Sequence, residues 1–195
     1  MKTTNKFSLL AFIAVIALTF NACKKDDPIP EVDQEEFSKS ELVFFELEEE
    51  NGKLVEHDTA LVVKFDAAGD PDKSHYHIDA GHEYRLYINL YDKKGNLNND
   101  EILEEADEHQ VFFPGAPADV LNYTYEDNIG MTGVMSVLKE TSEDVELQVV
   151  LRHGLKKSSP IAAWNTSSAD YAAFGGADDL NVAFELHPVE GDHDH

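Results

Sequence analysis

The chain has 195 residues, of which 39 are acidic and 15 basic, so its formal net charge is −24. This length accommodates one domain of ordinary size with tails, and a hydrophobic content of 42% is sufficient for a packed core. Because a polyanion would be repelled by this charge, nucleic acid is excluded as a partner and cations are favoured, either metal ions or basic protein surfaces.

The first 22 residues have the pattern of a lipoprotein signal peptide. Lys2 and Lys6 precede an apolar stretch at residues 7–20, which is shorter than the ~20 residues that a membrane-spanning helix needs. The stretch ends in Leu18-Thr19-Phe20-Asn21-Ala22-Cys23, which resembles a bacterial lipobox. Cys23 is therefore predicted to be the lipidated first residue of the mature chain, with a simple secretory signal and an unrelated cysteine as the alternative.

Residues 23–39 are predicted to be the lipidated cysteine and a flexible tether, because they combine two prolines with many charges. The segment Lys24-Lys25-Asp26-Asp27 resembles the short basic-then-acidic export signal of Bacteroidetes lipoproteins, and a charged spacer is the alternative. Since Cys23 is the one cysteine, no disulfide is available and the domain depends on its core.

Residues 40–187 are predicted to form one all-β domain, a single antiparallel β-sandwich of the immunoglobulin-like kind. Eight short runs are rich in β-branched and aromatic residues, and turn sequences such as Glu50-Asn51-Gly52-Lys53 separate them. Seven or eight strands are expected, at residues 42–47, 61–65, 84–91, 111–113, 121–125, 133–138, 145–151 and 180–186. Residues 188–195 are predicted to be an acidic, histidine-containing tail.

One segment, residues 100–109, favours a short amphipathic helix through the spacing of Ile102, Leu103 and Ala106. A bulged strand is the alternative for this segment. The sequence contains neither a nucleophile elbow nor a phosphate-binding loop, and the cysteine is assigned to the anchor. The chain is therefore predicted not to be an enzyme.

Histidines are the main candidate metal ligands in the sequence. His75 and His77 would project to the same side of a strand, and His82 follows five residues later. Neutral imidazole binds zinc and other transition metals, and nearby carboxylates would complete a nitrogen and oxygen site. A polar loop with solvated histidines is the alternative.

His109 follows an acidic segment and is the fourth predicted ligand. On a helix, Glu105 and His109 would present two ligands on one side, with Glu104 and Glu108 as further carboxylates. A junction between helix and strand in which His109 satisfies backbone groups is the competing interpretation. The four histidines form one metal site only if the strands bring them together.

The remaining candidates are weaker. His57, His153 and His187 are interpreted as surface or half-buried side chains at strand edges. The tail residues His193 and His195 alternate with aspartates and would capture divalent ions weakly, or would simply be solvated. Trp164 and Tyr171 lie in a long segment of small residues that is either a partner-binding loop or a lid folded back on the sandwich.

Three pieces of the chain resemble a known family when taken together: EILEEADEHQVFF at residues 101–113, LRH at 151–153 and GGADDLNV at 175–182. They resemble small Bacteroidetes lipoproteins that are often named after a type 1 periplasmic-binding fold, although this chain is too short for a two-lobed fold. The resemblance implies an outer-membrane lipoprotein, facing the cell surface or the periplasm, that assists a TonB-dependent receptor.

Two hypotheses follow from the sequence. The first is a membrane-anchored lipoprotein that binds a divalent transition metal, above all zinc, as an accessory to TonB-dependent uptake through an outer-membrane receptor. The second is a structural or adhesion β-sandwich that docks a receptor or glycan without metal. An exposed aromatic patch around Trp164 and Tyr171 would favour the second hypothesis, and a buried one would count against it.

Overall fold

A computed structural model describes residues 35–155, 157 and 171–191 of the chain. These residues form nine strands and one short helix. The strands are β1 (Lys39–Glu50), β2 (Lys53–Phe65), β3 (Tyr76–Ala80), β4 (Glu83–Tyr91), β5 (Gln110–Phe112), β6 (Leu121–Tyr125), β7 (Thr132–Val137), β8 (Val145–His153) and β9 (Ala177–Glu190), and the helix is α1 (Asn99–Glu104).

The strands form two sheets. One has five strands in the order β2-β1-β4-β7-β6, and the other has four in the order β3-β9-β8-β5. Neighbouring strands are antiparallel except for β3, which runs parallel to the end of β9. The predicted all-β sandwich is confirmed, with nine strands instead of the seven or eight expected.

The core lies between the two sheets and follows from alternation along the strands. In β4, four side chains point inward and their neighbours outward. Phe65 of the first sheet and Phe184 of the second meet edge to face with ring centroids 6.1 Å apart. Buried residues from both sheets belong to one main cluster, which forms without a disulfide among the described residues.

The additional strand, β3, lies in the segment that the sequence indicated as a polar, histidine-containing region. Tyr76 and Ile78 point into the core with exposed fractions of 2% and 4%, while His77 and Asp79 face solvent. Two buried side chains are enough to add this strand to the edge of the second sheet.

The helix is shorter than the predicted segment. It runs from Asn99 to Glu104, buries Ile102 and leaves Leu103 exposed. Glu105 ends it, and a turn closed by Glu108 N–H donating to the Glu105 carbonyl leads to His109. The helix prediction is therefore correct for its first half, and Glu105 and His109 do not lie on one helical face.

The first hairpin extends beyond the core. Asn51 and Gly52 have φ values of +51° and +79°, the conformation of a type I′ turn, which the Asn-Gly sequence predicted. Residues 53–60 of β2 are exposed. On its outer edge β2 has no strand neighbour among the described residues.

Both predicted boundaries of the domain differ from the folded region. Residues 35–38, assigned to the tether, contact the domain, since the Ser38 N–H donates to the Tyr91 carbonyl. At the other end, β9 continues through Pro188, Val189 and Glu190 because β3 pairs with these residues. Within the described residues, no helix is long and apolar enough to cross a membrane.

Candidate metal centre

Three titratable side chains meet at one end of the second sheet. His109 directly precedes β5, His153 ends β8 and Asp179 lies near the start of β9. The strand register brings them together, because Gln110 is opposite Arg152 and His153 is opposite Ala177. One potential ligand atom from each of the three side chains lies within 4.8 Å of the others.

The imidazole of His109 is buried and its tautomer is set by the turn before it. The side chain has an exposed fraction of 0%, and Nδ1 lies 3.0 Å from the carbonyl oxygen of Glu105. Because a carbonyl oxygen only accepts, Nδ1 must carry the proton. When the ring is neutral, Nε2 is therefore a free lone pair, and it has no hydrogen-bond partner.

Asp179 presents one oxygen to the protein and the other to His109. Its Oδ1 accepts from the Glu35 N–H at 3.1 Å and lies 2.9 Å from His153 Nδ1. Its Oδ2 is buried and has no hydrogen-bond partner. The carboxylate is thus held through one oxygen, and the second is available to a ligand.

The two unpartnered atoms face each other. His109 Nε2 lies 3.7 Å from Asp179 Oδ2, which is too long for a hydrogen bond. Two ligand atoms on a tetrahedral zinc ion, each ~2.0–2.1 Å from the metal, are separated by about 3.4 Å. The observed separation is therefore close to that of two ligands of one metal ion.

Two glutamates form a second group of potential ligands with the same histidine. A carboxylate oxygen of Glu35 and one of Glu105 lie within 4.8 Å of each other and of a ring nitrogen of His109. Glu35 Oε2 is buried without a hydrogen-bond partner, whereas Glu105 is exposed. We refer to the five residues Glu35, Glu105, His109, His153 and Asp179 as the His109 cluster.

The electrostatics of the His109 cluster favour added positive charge. Burial raises the pKa of the Glu35 carboxyl, and the negative charge of Asp179 raises it further. Burial alone would lower the pKa of His109, but Asp179 and the Glu105 carbonyl favour the imidazolium, and the pKa is raised overall. Both directions mean that the protonated forms of the two side chains are favoured here.

Arg152 holds the backbone that leads to Asp179. Its guanidinium donates to the carbonyl oxygens of Gly175, at 2.6 Å, and Gly176, at 2.9 Å, and also pairs with the carboxylate of Asp178. Three planar contacts from one side chain restrain the segment before β9, and this restraint positions Asp179.

The other predicted histidines lie elsewhere. His75 and His77 are exposed neighbours with ring centroids 5.1 Å apart, and His77 stacks on His187 at 5.4 Å. From Asp179 to His187 there are eight residues of β9, or about 26 Å of strand. The prediction that His75 and His77 share a metal with His109 is therefore wrong, because they lie at the opposite end of the sheet.

His187 does not complete a second site beside His75 and His77. Its Nδ1 lies 3.0 Å from Asp144 Oδ1, and its Nε2 lies 3.0 Å from the Thr141 carbonyl oxygen. Both ring nitrogens are thus engaged by protein groups.

His82 and two of the glutamates are also separate from the His109 cluster. His82 Nδ1 lies 2.6 Å from Glu46 Oε1 of β1, a contact within the five-stranded sheet. Glu104 and Glu108 are exposed and belong to neither group of potential metal ligands found among the described residues. Of the predicted ligands, the structure brings together His109 and Glu105.

Tyr171 is buried, with an exposed fraction of 3%. Its ring stacks on Phe112 with centroids 4.8 Å apart, and the guanidinium of Arg152 lies 5.4 Å from it. This observation counts against an exposed aromatic patch at Tyr171. Cys23, Trp164, His193 and His195 lie outside the described residues.

Three residues of the His109 cluster were missed or set aside at the level of sequence. His153 was interpreted as a surface or half-buried side chain, Glu35 lies in the stretch assigned to the tether, and Asp179 was not selected as a ligand. The sequence contained one signal for His153 and Asp179, the pieces LRH and GGADDLNV. These two pieces become neighbours when β8 pairs with β9.

No protein-family model, curated protein or solved structure matches this chain. The functional argument therefore depends on the geometry of the His109 cluster and on the sequence features described above.

Proposed function

We propose that the protein binds a divalent transition metal, with zinc preferred, through His109 Nε2 and Asp179 Oδ2. The observation that carries this proposal is the pair of buried, unpartnered atoms 3.7 Å apart. A neutral imidazole lone pair facing a carboxylate oxygen is unfavourable, and either a proton on Nε2 or a metal ion between the two atoms removes the repulsion. The backbone hydrogen bond on Nδ1 also supports this role, because metal-bound histidines commonly donate their other N–H to such a group.

The donor set favours zinc over harder cations. Imidazole nitrogen combined with carboxylate oxygen suits zinc, copper and nickel, whereas calcium and magnesium prefer oxygen ligands alone. Glu105 and Glu35 form a second group of potential ligand atoms around the same histidine. His153, which contacts Asp179 Oδ1, orients the carboxylate so that Oδ2 is directed toward His109.

The proposed setting is the outer membrane. The sequence around Cys23 supports a lipid anchor, and the pieces at residues 101–113, 151–153 and 175–182 resemble lipoproteins associated with TonB-dependent receptors. Two of the pieces supply His109 and His153, and the third supplies Asp179. A role in capturing metal for an outer-membrane receptor accounts for both the anchor and the site, and it is a binding role that requires no catalysis.

The test of the metal site is calorimetric titration of zinc into the lipid-free mature chain with Cys23 replaced by serine. We expect one saturable site of micromolar or tighter affinity. His109→Gln and Asp179→Asn, which preserve size, should each weaken binding at least about 100-fold, because each removes one of the two buried ligands.

The matched control is His82→Gln, which removes a histidine that also lies against a glutamate, but in the other sheet. Its zinc affinity should equal that of the original chain. The double variant His75→Ala/His77→Ala and a chain ending at residue 191 should also keep the site. Absence of saturable binding, or full binding by Asp179→Asn, would refute the proposal and leave receptor or glycan docking as the alternative.

The anchor has its own test. In a bacterial host that processes lipoproteins, metabolic labelling with palmitate should modify the full chain, and Cys23→Ser should abolish the label. Labelling that survives this substitution would show that the cysteine is not the attachment point.

A further inference from the structure

The segment before β1 docks directly on the proposed metal ligands. The Glu35 N–H donates to Asp179 Oδ1 at 3.1 Å, and the Glu35 carboxylate lies beside His109 and Glu105. Residue 35 is 12 positions from Cys23. The stretch that follows the proposed anchor thus ends at the metal site.

The contacts of this segment differ in strength along its length. Phe37 packs against the core, and the Ser38 N–H and hydroxyl donate to the carbonyls of Tyr91 and Asp92 at 2.8 and 2.6 Å. Glu36 makes an ion pair with Lys93 in which both side chains are mostly exposed, and such pairs contribute little. Glu35 is therefore held mainly by the His109 cluster, whereas residues 37 and 38 are held independently of it.

Charge makes the docking of Glu35 conditional. Glu35, Glu105 and Asp179 place three carboxylates around two histidines, and like charges at this range repel one another strongly where water is partly excluded. Glu35 Oε2 is buried without a hydrogen bond that would offset its desolvation. A divalent cation would neutralise most of this repulsion.

Space is available for Glu35 to leave. A cleft of about 550 Å³ lies alongside residues 35–40 and is also lined by the turn at residues 66–69, by Lys93 and by residues 179–182. One side of the segment is therefore not enclosed by packed side chains, and Phe37 provides a point about which residues 35 and 36 can move.

We propose that metal binding and docking of the segment at residues 35–36 are thermodynamically coupled, through the Glu35 N–H on Asp179 Oδ1 and the Glu35 carboxylate beside His109. This inference rests on the proposed metal site at His109 and Asp179. Coupling between two equilibria is reciprocal. The factor by which docking of Glu35 raises the metal affinity therefore equals the factor by which bound metal raises the equilibrium constant for docking. The metal-loaded and metal-free forms then differ in the part of the chain that follows the anchor.

A spin label on this segment tests the coupling. Gln34→Cys in the lipid-free mature chain with Cys23→Ser carries the label, and zinc chloride is titrated at pH 7.5 while the spectrum is recorded. We expect immobilisation that saturates with the calorimetric zinc isotherm and reverses with EDTA. Glu35→Gln should reduce zinc affinity within the range of about 5- to 150-fold typical of coupled sites, and the label should stay mobile even with zinc bound.

Two controls separate the possible failures. A label at Lys94, on an exposed turn, should not respond to zinc, and the Asp179→Asn background should abolish the response at residue 34. If calorimetry shows zinc binding but the label at residue 34 is unchanged, the coupling is overturned and the metal site stands. If the original chain binds no zinc, the proposed function and the coupling both fail.

Discussion

A side chain at Gly176 would collide with the main chain of His153. A Cβ atom on Gly176 would lie 2.0 Å from the His153 carbonyl oxygen, and Gly176 has a φ of +75°. The end of β8 and the residue before β9 are therefore in contact through their backbones. Since His153 and Asp179 belong to these two segments, the shape of the His109 cluster depends on this contact.

Substitution Gly176→Ala should disrupt the site and the fold together. The positive φ and the collision are each strains of about 1–3 kcal/mol, so we expect a clear loss of unfolding free energy in urea and a weaker zinc affinity. The matched control is Gly175→Ala, because Gly175 also has a positive φ, of +84°, but an added Cβ atom there would have no neighbour within 4 Å. Equal losses for the two variants would show that the contact with His153 is unimportant.

Arg152→Lys should lower zinc affinity without unfolding the domain. Lysine cannot reproduce the planar set of contacts to Gly175, Gly176 and Asp178, so Asp179 would be less well positioned. Loss of a group that supports a ligand typically reduces metal affinity about 10- to 100-fold. The control is Arg85→Lys, which loosens a comparable arginine bound to Glu126 and Glu56 on the other sheet and should leave zinc affinity unchanged.

Zinc should stabilise the folded protein, and EDTA should reverse the effect. At a free zinc concentration 100 times the Kd, the expected gain is about 2.7 kcal/mol. For a domain of this size that corresponds to a rise in Tm of roughly 5–10 °C, measured by differential scanning calorimetry. Asp179→Asn should show no rise, and an unchanged Tm in the original chain would contradict a site formed only in the folded state.

The metal-free protein should lose stability as the pH rises above the ordinary histidine pKa of about 6.5. The raised pKa of His109 gives a contribution that is present below the ordinary histidine value of about 6.5 and is lost as the pH rises through the higher value in the folded state. The raised pKa of Glu35 acts in the same direction, because the folded state favours its neutral form. Urea unfolding in EDTA should show this trend, and Asp179→Asn should flatten it.

Tyr171 should matter for stability. Its ring is buried against Phe112 and belongs to a small cluster with Val150 and Leu155, so Tyr171→Ala should cost about 3–5 kcal/mol of unfolding free energy. Leu97→Ala, at a position that is 57% exposed, should change it by less than about 0.5 kcal/mol. A fully stable Tyr171→Ala variant would reopen the interpretation of this ring as part of a docking surface.

The sandwich could be predicted from the sequence because its signals are local. The alternation of apolar and polar residues in a run such as β4 predicts a strand directly. The Asn51-Gly52 sequence predicts a hairpin turn in the same way. Strand β3 was missed because its two inward residues, Tyr76 and Ile78, are surrounded by polar ones. The parallel pairing of β3 with β9 depends on residues more than 100 positions apart, and local patterns do not encode such a pairing.

The His109 cluster was only half predictable for the same reason. The local inference that His75 and His77 lie side by side is confirmed by their ring contact. The grouping of these two residues with His109 was wrong because proximity in sequence says nothing about which end of a sheet a residue occupies. Asp179 and His153 join His109 through the registers of β5, β8 and β9, which only the assembled sheet defines.

The outer edge of β2 has a consequence for how molecules of this protein behave when crowded. An unpaired edge strand exposes backbone groups that could pair with another chain. Along residues 53–60 this edge carries the ionisable side chains of Lys53, Glu56, His57 and Asp58, and charged side chains on an edge strand disfavour edge-to-edge association of two copies. We therefore expect the molecules to stay separate at high concentration, and replacement of these charges to promote aggregation.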